Sequence, residues 1–429
     1  MLFLQRTAVD LLSRREQPSP LVINAALDGQ FASVLRADVA LPERRATGAF
    51  PTSSLLADRL VESALVPERA CFLDPACGGG DLLLAVTRLL PVEGTLDATL
   101  RAWSARLSGR DIDPEFVNAT KARLAIAAAS RFESHDRTDS VATDLSALFP
   151  NIRVGDSLVE PMVVSSNTLV LLNPPFGYVE IPRGELSWAA GRTARAAVFL
   201  ERVLGGAAAG SSIAAILPDV LRTGSRYRRW RQHIEDRVAV DLIEPIGRFD
   251  AWTDVDVFFL RLKMRDADAV VTSKPEVRWW SAGSTSRVVG DHFSVSVGAV
   301  VPHRDNNRGQ WHRYLDVSQL PAWGTRDSSD LRKRRFGGTV VRPPFVAVRR
   351  TSSPNDPSRA VGTLVTGQEQ VAVENHILIL KPMGAGAVRE CRRLLEELVL
   401  PRTSDWLNER IRCRHLTVSA LRELPWGSG

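Results

Sequence analysis

The sequence predicts an α/β chain: a mostly parallel seven-stranded sheet flanked by helices, followed by a mixed α+β domain. Three observations carry this. Between residue 47 and about 265, short apolar runs alternate with longer helical patterns, as they do in a parallel sheet with crossover helices. One of those runs, Thr168-Leu169-Val170-Leu171-Leu172, is apolar on both faces, as a strand buried between helix layers must be. After residue 268 the texture changes to strand-like segments interrupted by Pro, Ser and Gly.

Residues 1–46 read as a helical leader with a Pro-containing break at 17–20. In the span 47–268, strands are expected at 71–74, 107–111, 151–154, 169–172, 213–217, 239–243 and 255–262. Helical patterns fall between them at 81–90, 115–130, 194–204 and 227–237. No long helix separates the last two strands, so these should pair antiparallel. In the span 269–429, VRWWSAGST, RPPFVAVRRTSSPNDPSR and VENHILILKP are strand-like, 354–357 reads as an exposed loop, and helices are expected at 389–400 and 404–412.

A chain of 429 residues has room for two or three domains, and 44% hydrophobic with 24% charged residues is an ordinary globular composition. No apolar run reaches the ~18 residues of a membrane-spanning helix. The N-terminus MLFLQRTAVDLLSRRE carries acids and arginines too early for a secretory signal. Cys71, Cys77, Cys391 and Cys413 form no C-x-x-C pair, and His233, His292 and His376 lie far from them in sequence. Neither a metal site nor a disulfide framework is expected, and a reducing cytoplasm is the default setting. A net charge of +6 and a pI near 9.5 suit a nucleic-acid partner without requiring one.

FLDPACGGGDLLLAV, residues 72–86, is the strongest local motif. A strand ending in Asp74 runs through a glycine turn into an apolar helix, so backbone and helix N-terminus can both approach a ligand. The spacing is neither G-x-G-x-x-G nor G-K-[ST], and without a lysine a triphosphate is the poorer fit. Read alone, it is either a cofactor loop or a plain strand–helix turn. In GRDIDPEFV, Asp111 sits where a ribose diol is gripped, and Asp113 reads as the cap of the next helix. In VGDSL, Asp156 is either an acceptor for an adenine amino group or another cap. In LLNPPFG, two prolines end the strand and leave Asn173 and Phe176 at its carboxyl edge, as a turn or as a mount for an amide and a ring.

Taken in order, TGAFPTSSLLADRLV (47–61), DPACGGGDLL, GRDIDP, VGDSL and LLNPPF resemble the gamma-class, TaqI-like DNA adenine-N6 methyltransferases. The resemblance spans about 47 to 265 and continues more loosely to the ending HLTVSALRELPWG. Gly79 stands where that family usually has Ser, Leu82 where it often has Phe, and Pro51-Thr52-Ser53 replaces aromatic-Thr-Pro. The resemblance implies a Rossmann-like, S-adenosylmethionine-dependent catalytic domain over 47–268 and a DNA target recognition domain over 269–429. It implies catalytic roles for Asn173, Pro174, Pro175 and Phe176. It implies cofactor contacts from Phe50, Thr52, Asp74, Pro75, Ala76, Gly78, Asp111, Ile112, Asp156 and Asn173. Phe176 would stack on an extruded base, with Phe249 as a second face and Trp252 as its rival; a core position is the other reading of Phe249.

Double-stranded DNA is the implied substrate, and a restriction or defence-system subunit the implied protein partner. Methyltransferases of RNA or of protein amides share the Asn-Pro-Pro-[FY] motif, and a DNA- or cofactor-binding subunit inactive without its partner is a third class. No P-D…[DE]-x-K nuclease cluster is found. Arg226, Arg228, Arg229 and Arg231 read as a solvated helix face before a phosphate-binding one, whereas RDSSDLRKRR (326–335) is expected in a loop contacting the DNA backbone.

Overall fold

Seven apolar runs pair into one sheet, in the spatial order Ile152–Val154 (β3), Leu107–Asp111 (β2), Cys71–Asp74 (β1), Thr168–Leu172 (β4), Ser212–Pro218 (β7), Asp256–Met264 (β9) and Val238–Arg248 (β8). The first five run parallel, and β9 is antiparallel to both neighbours. All five residues of β4 are buried, as a central strand covered on both faces requires. Our computed structural model describes residues 2–13, 19–27, 50–132, 144–250, 253, 255–265, 277–280, 287–354, 356–412 and 415–427. The expectations at 28–49, Trp252 and Cys413, half of the proposed break at 17–20, and 281–285 of the strand-like VRWWSAGST fall outside these residues; its described part, 277–280, is not strand.

The chain divides into two compact units, 1–221 with 228–278, and 222–227 with 279–429. In the first, the helices are Leu2–Ser13 (α1), Pro20–Leu27 (α2), Ser54–Ser63 (α3), Asp81–Val86 (α4), Leu96–Arg106 (α5), Pro114–Ala129 (α6), Arg195–Gly206 (α7), Asp219–Thr223 (α8, which crosses the division) and Arg228–Arg237 (α9). Leu4, Ala8 and Leu11 of α1 share one core with Phe72, Trp103, Leu124, Leu169 and Phe259. Each leucine or phenylalanine among them contributes about 1.5–3 kcal/mol by leaving water. Ser53 caps α3 through the Leu56 N–H (3.3 Å), and Asp113 caps α6 through the Glu115 N–H (2.8 Å). α4 stops earlier than its apolar run predicts. Thr87 caps it, its hydroxyl bonding the Leu84 carbonyl at 2.6 Å, and tight turns follow.

Tyr178–Leu186 (β5) and Ala189–Ala194 (β6) form an antiparallel hairpin directly after the Asn-Pro-Pro-Phe turn. It was not expected from the sequence: Pro182 and Gly184 interrupt the alternation, and the ladder slips between Ile181 and Leu186.

The second unit is mixed α+β. Phe293–Val297 (β10), Ile377–Pro382 (β17), Phe345–Arg349 (β14), Gly362–Thr366 (β15) and Thr325–Asp327 (β12) form one sheet. Lys333–Phe336 (β13), Gln310–Leu315 (β11) and Val371–Val373 (β16) form another. Ala387–Val399 (α10), Pro401–Arg410 (α11) and Val418–Glu423 (α12) pack Cys391, Leu394, Leu407 and Leu421 into a core with Val346, Val348 and Leu380. The 326–335 stretch is half strand rather than all loop, its two strand ends joined by a 3-10 turn at Ser328–Asp330, with Arg332 paired to Asp316. Among the described residues, no helix is long and apolar enough to cross a membrane.

Arg123, 1% exposed in the mostly buried α6, ties three elements together. Its guanidinium donates to Ala26 O of α2 (2.8 Å), to Gly79 O and to Asp81 Oδ1 of α4 (2.8 Å). Arg123→Leu leaves a buried carboxylate and two carbonyls unpaired, and we expect a loss of about 3–5 kcal/mol in urea unfolding. A loss under about 1 kcal/mol would show that the cluster rearranges around the missing cation.

Candidate active site

Strand order reverses between β1 and β4: the chain leads from β1 outward to β2, and from β4 outward to β7 on the other side. Such a switch point opens a crevice at the carboxyl ends of the two strands. The glycine loop follows β1 and the Asn-Pro-Pro-Phe turn follows β4, so the two strongest motifs lie at one edge of neighbouring strands.

The glycine loop is held from several sides. Asp74 Oδ1 accepts the Ala76 N–H (3.0 Å), and the Cys77 N–H bonds Arg110 O of β2 (3.0 Å). Asp111 Oδ2 accepts the Gly78 N–H (2.9 Å) while its Oδ1 accepts the Asp113 N–H (3.0 Å). The Thr120 hydroxyl donates to Gly78 O (2.8 Å), and that of Ser157 to Pro75 O (2.7 Å). Gly80 has φ of 84°, and a Cβ there would lie 2.8 Å from Thr120, so this side of the loop is shut. Gly78 has φ of 48°, and a Cβ there would meet nothing within 4 Å. The open side of the loop is thus at Gly78.

Asp74 is 2% exposed. Burial pushes its carboxyl up to about 8, against the Ala76 hydrogen bond and with help from the Asp111 and Asp81 charges. Burial also raises Asp111, against its hydrogen bonds from Asp113 and Gly78. Gly155, at the end of β3, donates to Asp111 O (2.9 Å), which brings Asp156 to the same edge. Asp156 Oδ1 accepts the Leu158 N–H (2.8 Å), so the cap-like role is realised in the structure. Ile112 is 70% exposed, an apolar side chain left uncovered beside these acids.

At the end of β4, the Asn173 amide is oriented by Phe50 and Thr52. Its Nδ2 donates to Thr52 Oγ1 (2.8 Å) and to Phe50 O (3.3 Å). A backbone carbonyl can only accept, so the atom facing it must be the amide nitrogen. This leaves Asn173 Oδ1 buried with no hydrogen-bond partner. Pro174 is buried next to it, and Pro175 half-buried.

Phe50, Phe176 and Phe249 form an aromatic trio. The Phe176 and Phe249 centroids are 5.4 Å apart at 77°, and each ring is 5% exposed. A base sandwiched between two rings needs about 7 Å, twice the ~3.5 Å carbon contact. As they stand, the rings pack on one another and leave no such slot.

Two groups of expected residues are therefore assembled, Asp74, Pro75, Ala76, Gly78 and Asp111 around the loop, and Phe50, Thr52, Asn173, Pro174, Phe176 and Phe249 at the turn. Thr120, Arg123 and Ser157, which hold the loop, were missed by the sequence reading. The one available signal was an arginine within the apolar run KARLAIAAA. Of the four arginines at 226–231, three are exposed, whereas Arg231 is buried and donates to Leu221 O (2.9 Å).

No protein-family model matches the chain, and no curated protein matches it in sequence. Solved structures do match. The type IIL restriction-modification enzyme MmeI, determined in complex with DNA, aligns over 92% of this chain and 70% of its own, with TM-score 0.61 and 12% identity. The type IIG restriction endonuclease BpuSI aligns over 92% of this chain and 60% of its own, with TM-score 0.44 and 13% identity. A methyltransferase subunit of a type I restriction-modification system from Streptococcus thermophilus aligns over 53% and 45%, with TM-score 0.33 and 14% identity. At 12% identity, the likeness to MmeI is one of fold.

The raised carboxyl gives a testable pH dependence. An unfolded Asp titrates near 3.9, so the folded chain retains the Asp74 proton up to about 8. Its contribution is fully present below about pH 4 and is lost as pH rises through 8. Urea-unfolding free energies across pH 5–8.5 should fall for the wild type relative to Asp74→Asn; parallel curves would mean that Asp74 ionises normally.

Proposed function

We propose that this chain is a gamma-class, site-specific DNA adenine-N6 methyltransferase that uses S-adenosylmethionine and serves a restriction–modification or other defence system. The observation that carries this reading is the unpaired, buried Asn173 Oδ1 beside the Pro174 carbonyl. An exocyclic amine of adenine has two N–H bonds and a lone pair delocalised into its ring. Two fixed acceptors, Asn173 Oδ1 and Pro174 O, can take those hydrogens and favour a pyramidal, more nucleophilic nitrogen. Proline has no N–H to compete, and Thr52 with Phe50 holds the amide so that its oxygen is the free atom.

The residues around the glycine loop fit the cofactor. Gly78 leaves open space, and the charges acting on Asp74 are other carboxylates, so a cationic nucleoside ligand would relieve them. On this reading Asp111 takes the ribose hydroxyls, Asp156 an adenine amino group, and the exposed Ile112 an apolar face of the cofactor. S-adenosylmethionine, when bound, supplies a methyl group on a sulfonium that leaves as a neutral thioether. The work of the chain is therefore alignment, not activation of a strong base.

A duplex base reaches Asn173 only after extrusion. On this reading Phe176 stacks on that base, with Phe249 as its second face, at about 1–3 kcal/mol per base. Since the two rings now touch, admission of a base between them requires them to part. The shared fold with MmeI, solved on DNA, and the net charge of +6 support duplex DNA as the substrate. The second unit is assigned target recognition, and a separate restriction or defence subunit is the protein partner this reading implies.

The test is base-resolved sequencing of DNA from a methylation-free host expressing the chain. N6-methyladenine should occur in one recurring sequence. Asn173→Ala, which removes one fixed acceptor, should lower the rate by about 10²–10³-fold. Unmodified DNA from the wild type, or unimpaired methylation by the variant, would sink the reading.

A further inference from the structure

We propose that the root of the β5–β6 hairpin is a phosphate contact, with Arg192 braced on Tyr178 to bind the DNA backbone beside the extruded nucleotide. This rests on the DNA reading above and adds to it a residue pair outside the expected site. β5 begins at Tyr178, two positions after Phe176, and Tyr178 is the register partner of Ala194. The Arg195 N–H bonds Gly177 O at 2.9 Å, so the hairpin root is tied to the turn that carries Asn173. Position and chemistry thus coincide.

The Arg192 guanidinium carbon lies 4.4 Å from the centre of the Tyr178 ring. Both side chains are exposed, Tyr178 by 48%. Arg192 forms no ion pair among the described residues, although Glu180 is its cross-strand register partner. Its contact is with the ring instead. The ring contact covers one side of the guanidinium, while its five N–H donors form no hydrogen bond among the described residues. A planar fork with free donors matches a phosphate, which it can grip bidentately. Because the guanidinium covers the Tyr178 ring, the tyrosine acts as a brace rather than as a platform for a base.

The hairpin can hold such a contact in place. A two-stranded hairpin is marginal by itself, but Ile181, Trp188, Thr193 and Ala194 are all buried. The exposed root residues therefore sit on an anchored element.

The test titrates a fluorescein-labelled duplex carrying the methylated sequence across a salt series, with S-adenosylmethionine affinity measured alongside by calorimetry. For Arg192→Ala we expect about ten-fold weaker DNA binding and a salt slope smaller by about one. Tyr178→Phe, which keeps the ring, should bind like the wild type, and Tyr178→Ala should weaken binding less than Arg192→Ala does. Cofactor affinity should be unchanged in each. Arg183→Ala, an exposed arginine elsewhere on the hairpin, should leave both affinity and slope intact. The proposal is overturned if Arg192→Ala keeps wild-type affinity and slope on a duplex that the wild type methylates. Equal losses in Arg192→Ala and Arg183→Ala would also overturn it, replacing a fixed contact with diffuse charge. A wild type that binds the cofactor yet neither binds nor methylates duplex DNA would remove the DNA reading itself, and this contact with it.

Discussion

The Gly78 N–H donates to the Asp111 carboxylate, and through this bond the loop after β1 is fastened to the end of β2. Much of the first unit's chemistry depends on that fastening. A glycine-rich loop left to itself samples many backbone states. Here Asp111, Thr120, Arg123 and Ser157 hold Gly78, Gly79 and Pro75 from three other segments of the chain. The same bonds shut the Gly80 side and leave the Gly78 side open. Asp111, only half-buried, serves in this way by accepting two backbone N–H groups, whereas Asp74 is 2% exposed, accepts a single such bond and keeps its proton up to about 8.

An unpaired buried carbonyl costs about 1–3 kcal/mol, so the free Asn173 Oδ1 is a sustained imbalance. The structure sustains it because turning the amide over would set Oδ1 against the Phe50 carbonyl, two acceptors face to face. Buried polar groups are usually paired, and one without a protein partner can be satisfied by a ligand or a water. The aromatic trio next to it has the complementary property. Packed on one another, the three rings limit the apolar surface exposed without a base, yet edge contacts of this kind are worth only about 0.5–1.5 kcal/mol. Parting Phe176 from Phe249 is therefore within reach of the stacking that would replace their contact.

Exposed cations braced on rings recur in both units. Arg192 lies over Tyr178 in the hairpin, and Arg335 over Trp311 on the β11–β13 ladder, where Trp311 is 59% exposed. In each case a strand pair, not a helix, presents the group. Cross-strand neighbours stand at a fixed spacing and on one face, which sets a ring under a guanidinium more reproducibly than a loop can. The arginines of 226–231, by contrast, divide between solvent and a backbone carbonyl.

The sequence by itself determined the sheet. Strand identity at 71–74, 107–111 and 169–172, the antiparallel final pair and the capping role of Asp113 are local properties, set by apolar runs, turn residues and side chains that bond their own neighbours. It also brought the right residues to notice at the strand ends, because a parallel strand must release its chain at its carboxyl edge. Only the tertiary structure decided what those residues do there. Which Asn173 atom is free depends on Phe50 and Thr52, more than 120 positions away. Which side of the glycine loop is open depends on Thr120, and whether two phenylalanines enclose a slot depends on the packing of Phe249. The hairpin escaped the sequence because Pro182 and Gly184 erased its alternation, while burial of Ile181 and Trp188, settled only on folding, holds it in place. Local chemistry encodes the elements; hydrogen bonds and contacts between distant segments choose the faces those elements leave exposed.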